Sequence, residues 1–98
     1  MAKEIVWTKR ANSKFNSIIG YLEEEWGDKV TENFVIRTYD ILDLISDQPL
    51  LGTLENQERN IRGFLITKHN RLFCRVTEKE LILLNFFDNR QGSKKKKF

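Results

Sequence analysis

Residues 61–87, IRGFLITKHNRLFCRVTEKELILLNFF, decide the fold. Here large apolar side chains fall largely at alternate positions, whereas earlier in the chain they recur at helical spacing. A period of two marks a strand, whose successive side chains point to opposite faces. Residues 61–68 make the first strand of the run. His69 and Asn70 follow where a turn belongs, and asparagine tolerates the left-handed backbone of tight hairpins. Residues 71–77 make the next strand, with Leu72, Cys74 and Val76 alternating against Arg71, Phe73 and Arg75. Glu78 and Lys79 turn the chain again. Residues 80–87 are apolar almost throughout, as expected of a central strand buried on both faces.

Upstream, residues 4–8 open with Ile5, Val6 and Trp7, which favour a strand. Thr8 is placed to cap a helix beginning at Lys9. Phe15, Ile18, Ile19, Leu22 and Trp26 fall on one face of that helix, so Trp7 and Trp26 both read as core. Gly27 ends the helix and Asp28 is placed to cap a second over residues 29–46, with Val30, Phe34, Thr38, Ile41 and Ile45 as its stripe. Val35, Leu42 and Leu44 widen that stripe. Pro49 stops the helix, and residues 48–60 read as a polar loop. So short a junction forces an antiparallel helical hairpin. The predicted order is β-α-α-β-β-β, an α+β fold with the hairpin packed on a small, twisted, mainly antiparallel sheet.

The chain has 98 residues, enough for one domain, expected over residues 1–92 with a basic, flexible tail at 93–98. Eleven aromatic residues argue against disorder. No apolar run approaches the ~18 residues of a membrane span, and the opening Met1-Ala2-Lys3-Glu4 does not read as a signal peptide. The lone Cys74 excludes an internal disulfide framework and suits a reducing cytoplasm, where it is expected as a small core residue. The net charge of +3 is uneven. Residues 1–60 hold seven Lys/Arg against eleven Asp/Glu, and residues 61–98 hold ten against three. That basic end points to a nucleic-acid, ribosomal or acidic-protein partner.

Conventional catalytic patterns find no support. With one cysteine and one histidine there is no metal-ligand cluster, and the five glycines are too scattered for a phosphate loop. No cofactor or metal is expected. What remains is a basic set on the strands and turns: Arg62, Lys68, His69, Arg71, Arg75 and Arg90. Alternation places Arg71, Phe73 and Arg75 on the face away from Cys74, with Arg62 expected beside them. Arginines around an aromatic ring suit RNA contact, but an ordinary solvated face or a protein interface fits equally. His69 is expected to be simply exposed, although imidazole is the usual acid–base group near neutrality.

The whole run resembles the RelE/ParE superfamily of bacterial toxins. The front of the chain carries Ile5-Val6-Trp7-Thr8, Ala11, Ile18, Tyr21-Leu22, Trp26-Gly27, then Ile45-Ser46-Asp47-Gln48-Pro49 and Gly52. The back carries Ile61-Arg62-Gly63-Phe64-Leu65-Ile66, Lys68-His69-Asn70-Arg71-Leu72-Phe73-Cys74-Arg75-Val76, Ile82-Leu83-Leu84 and Phe87-Asp88-Asn89-Arg90-Gln91. The resemblance implies the toxin half of a type II toxin–antitoxin (plasmid-stabilising) pair, neutralised by a cognate antitoxin. Sequence-specific operon binding then belongs to the antitoxin, not to the toxin alone.

Two branches share this scaffold. RelE-like members cleave mRNA in the ribosomal A site by attack of a ribose 2′-OH on the adjacent phosphate. For that branch Arg71 and Arg90 match arginines that would stabilise charge on the phosphate, and His69 would carry a proton. Arg62 falls near basic positions of the preceding strand, and Lys68, Phe73 and Arg75 would complete a target- or antitoxin-binding surface. Two departures weigh against the nuclease. The tyrosine or histidine usual near the C-terminus is replaced by Gln91-Gly92-Ser93 and the lysine tail, and Cys74 stands where tyrosine is common. The ParE-like branch, which inhibits DNA gyrase without an RNase site, is favoured. The RelE-like endoribonuclease is the alternative, and a non-toxic interaction module the third possibility.

Overall fold

The computed structural model describes residues 2–91. The basic tail expected at 93–98 lies outside the described residues. A first strand, β1 (Glu4–Trp7), leads into helix α1 (Lys9–Glu25). Thr8 caps it as the sequence implied: its Oγ1 accepts from the Ala11 N–H at 3.1 Å. Gly27 adopts φ +87°, a conformation that favours glycine, and its N–H donates to the Leu22 carbonyl at 2.9 Å. Helix α2 (Asp28–Asp47) starts at once, capped by Gly27 rather than by Asp28, which lies in the first turn.

Trp26 is not core. It is 53% exposed, because α1 ends at Glu25 and the chain leaves the helical path before the apolar stripe reaches it. Leu44, also assigned to the stripe, is 44% exposed.

The sheet has five strands in the order β1-β5-β4-β3-β2, with β2 Thr53–Asn56, β3 Ile61–Thr67, β4 Asn70–Val76 and β5 Glu80–Asp88. All pairings are antiparallel except β1 with β5. The segment read as a polar loop therefore holds a 3-10 turn, Pro49–Leu51, and the strand β2. TLEN carries one large apolar residue and has no periodicity to detect; pairing with β3 makes it a strand, Thr53 opposite Gly63 and Leu54 opposite Arg62.

The hairpin turn is also displaced. Lys68 and His69 form it, while Asn70 is a buried β4 residue paired with Thr67. The non-glycine residue with positive φ among those described is Asn60, at 52°.

Both helices cover one face of the sheet. Ala11, Phe15, Ile18 and Leu22 of α1 and Phe34, Leu42 and Ile45 of α2 meet Phe64, Ile66, Leu72, Cys74, Leu81, Leu83 and Phe86. The Phe15 ring lies 5.2–5.4 Å from Trp7, Phe34 and Phe86. No second layer covers the other face within the described chain. The outer side of β5, though interior to the sheet, is therefore only partly buried: Ile82, Leu84 and Phe87 are half-buried, while Asn85, opposite the outer-facing Phe73, is buried.

Candidate functional site

The basic residues divide into two groups. The outer group is set by β4, whose alternation turns Leu72, Cys74 and Val76 to the helices and Arg71, Phe73 and Arg75 away. Phe73 nevertheless has no exposed surface, so it is not an open stacking platform. The Arg71 guanidinium lies over its ring at 5.4 Å, and Phe87 meets it edge-on at 5.8 Å. Directly across, on β3, stands Gly63. A Cβ there would sit 2.8 Å from Arg71 Nη2, 2.9 Å from Glu55 Oε2 and 3.2 Å from Phe73 Cε1. The glycine thus makes the space in which an arginine, a carboxylate and a ring converge.

Arg71 Nη2 donates to Glu55 Oε2 at 3.1 Å, an ion pair with β2 that sequence reasoning missed because Glu55 fell in the supposed loop. Arg71 Nε is buried and has no hydrogen-bond partner among the described residues. Arg75 and Lys68 are exposed. Arg62 does not join this group. It stands opposite Cys74 and shares the parity of Phe64 and Ile66, so it lies on the helix side, where Nη1 donates to the Gly52 carbonyl at 2.9 Å. At the upper end of β3, where β2 no longer covers the edge, a cavity of about 420 Å³ is lined by Leu44, Leu51, Phe64, Leu65 and Arg71 among others.

The second group closes the end of the sheet on the helix side. Asp88 is fully buried and accepts from Asn70 Nδ2, from the Arg90 backbone N–H at 2.8 Å, and from Arg90 Nη2 at 2.9 Å and Nε at 3.2 Å. Burial opposes ionisation of this carboxyl. The hydrogen bonds and charge of Arg90, with Asn70, outweigh burial and hold its pKa below the usual carboxylate value. Arg90 also lies over the exposed Trp26 ring at 5.5 Å, and the Tyr21 hydroxyl donates to the Arg90 carbonyl at 2.7 Å. The ring stranded beyond the core thus helps to hold an arginine.

His69 adjoins this group. Its Nδ1 is 3.2 Å from Asn89 Oδ1, and its N–H donates to Thr67 Oγ1 at 3.1 Å. Thr67 Oγ1 in turn donates to Asn70 Oδ1. His69 and Arg90 are therefore neighbours through Asn89 and Asp88, while Arg71 is engaged with Glu55 on the other face. Cys74 is buried, and desolvation pushes its thiol far up, away from the reactive thiolate.

A sequence model described as the ParE toxin of the type II toxin–antitoxin system parDE matches residues 5–91. No curated protein sequence matches the chain. Among solved structures, the fold is similar to that of the chromosomal ParDE system from P. aeruginosa, with a TM-score of 0.71 at 16% identity over 89% of this chain and 96% of that one. It is also similar to the YoeB dimer from Staphylococcus aureus (TM-score 0.63, 14% identity, 89% and 97% covered). A third likeness is to the YoeB/ParE toxin from Agrobacterium tumefaciens (TM-score 0.60, 13% identity, 87% and 96% covered). These structures share the helical hairpin on a twisted sheet, and the match over residues 5–91 gives the lineage: the chain belongs to the ParE toxin family of type II toxin–antitoxin systems.

Proposed function

We propose that this toxin arrests growth by binding DNA gyrase in the cytoplasm, and that a cognate antitoxin neutralises it. The observation that carries this reading is the separate engagement of the two arginines a nuclease would bring to one phosphate. Arg71 is paired with Glu55 on the outer face, and Arg90 with the buried Asp88 on the helix side. A guanidinium already bonded to a carboxylate has to lose that partner before it stabilises a phosphorane-like charge. A binding surface has no such requirement. Arg71, Arg75 and Lys68 suit acidic groups of a target or antitoxin, with the apolar rim of Leu44, Leu51 and Leu65 beside Arg71 taking the partner's apolar side chains.

Topology of plasmid DNA after induction tests this. Relaxed plasmids with intact transcripts are expected, and growth should recover when the antitoxin is co-expressed. Normal supercoiling during growth arrest would overturn the proposal. Cut transcripts would then favour the ribosome-dependent endoribonuclease, in which the proximity of His69 and Arg90 would serve the chemistry. Unimpaired growth with well-folded protein would mark a non-toxic interaction module.

A further inference from the structure

A third basic feature lies outside both groups. Strand β1 pairs with β5 only from Glu80 to Leu83, so beyond that point α1 runs beside β5 in place of a strand. Thr8 fastens the junction, its Oγ1 donating to the Leu83 carbonyl at 2.7 Å. Between the first half of α1 and the uncovered part of β5 is a cavity of about 400 Å³ lined by Arg10, Ser13, Lys14, Ser17, Asn85 and Phe87.

The four helical residues stand at i, i+3, i+4 and i+7, one stripe of α1, and it is not the stripe that packs the core. Every polar residue of this lining has a hydrogen to donate: a guanidinium, an ammonium, two hydroxyls and a carboxamide. None is a carboxylate. Phe87 continues the cavity towards the outer face, where it meets Phe73 and, through that ring, Arg71.

The charge layout of α1 reinforces this. Residues 9–22 carry Lys9, Arg10 and Lys14 with no acid, and the acids are gathered at Glu23, Glu24 and Glu25. A helix is favoured by acids at its start and bases at its end, so α1 is charged against its own dipole at both ends. An anionic ligand beside Arg10 and Lys14 would offset the positive charge at the start of the helix.

We infer that the cavity between α1 and β5 holds the phosphodiester backbone of a nucleic acid, without reading its sequence. Arg10 and Lys14 each neutralise one phosphate, Ser13 and Ser17 donate to its oxygens, and Phe87 supplies an apolar surface for a sugar or base. DNA and RNA share this chemistry.

The test is the salt dependence of binding of full-length protein to labelled single-stranded DNA, duplex DNA and single-stranded RNA of one sequence. Each phosphate contact contributes about 0.7 to the log–log slope for a single strand and about 0.9 for a duplex. The double variant Arg10→Gln, Lys14→Gln should therefore lose about 1.4 from the slope on single strands, or about 1.8 on duplex. Lys29→Gln with Lys79→Gln removes the same charge elsewhere on the surface and should leave the slope near that of the unaltered protein. Ser13→Glu, at an exposed position, sets a carboxylate in the cavity and should weaken binding even if the double variant folds poorly. A loss seen with DNA alone, RNA alone or both supports the site and names its source. Equal slopes for the two double variants, or no binding by the unaltered protein, would overturn it. If supercoiling inhibition persisted with that result, this site would fall and the gyrase reading would stand.

Discussion

Two arginine–carboxylate pairs lie one rung apart along β4 and β5 but on opposite faces of the sheet, and they differ in what holds them. Asp88 has no exposed surface and receives three hydrogen bonds from Arg90 and one from Asn70, with Trp26 stacked on the guanidinium. Glu55 and Arg71 share one bond at 3.1 Å, and the Arg71 side chain keeps 32% of its surface in water. The first pair is part of the architecture: it ties the end of β5 to the start of β4 and the end of α1. The second is open to exchange, because another carboxylate reaching Arg71 would meet the same ring and the same glycine-made space. Similar chemistry is thus locked in place on one face and left exchangeable on the other.

The largest expected effect breaks the first pair. Asp88→Ala strands Arg90 and Asn70 in a mostly dry site and should cost about 3–5 kcal/mol in urea unfolding, since removing one partner leaves an uncompensated charge. The linkage has a definite sign. The folded-state pKa of Asp88 is depressed, so its contribution is present above the unfolded value of about 3.9 and is lost as pH falls through the folded value. The unaltered protein should therefore lose stability below about pH 4 more steeply than Asp88→Asn, which lacks the titrating group.

Gly63→Ala probes the meeting point of Arg71, Glu55 and Phe73. The added methyl would stand within 3 Å of two of them, and overpacking of this kind costs about 1–3 kcal/mol. Thermal unfolding should register it, together with weaker antitoxin binding as Arg71 is pushed from its ring. The smallest stability effect is Glu55→Gln. A partly exposed pair contributes about 0–1 kcal/mol, so the unfolding midpoint should hardly move, while affinity for an acidic partner should change measurably once the internal competitor is gone.

These contrasts track the line between what was legible in the sequence and what was not. Strand β4 was visible because its large apolar residues alternate with polar ones, and β3 and β5 because short apolar runs stand between turn residues. Helices α1 and α2 were visible because theirs repeat at helical spacing. Strand β2 was not: it sits at the sheet edge with a single leucine, and its formation depends on β3. With it went Glu55, and so the partner of Arg71. Alternation correctly put Phe73 on the outer face but says nothing of what lies above it. The one available hint was Gly63, a glycine inside a strand, which marks close approach. Arg62 was misplaced because its register against Cys74 is a property of the pairing, not of β3 alone. Trp26 continued the stripe by spacing, but the helix ended at Glu25, one residue before it.

The central claim, that this ParE-family chain acts by binding rather than by cutting RNA, is tested most directly by adding purified protein to gyrase and to translating ribosomes in parallel. The expected result is loss of supercoiling at protein concentrations that leave ribosome-bound mRNA intact. Cleavage of mRNA in the A site with supercoiling unaffected, abolished by Arg71→Ala or Arg90→Ala in folded protein, would contradict it.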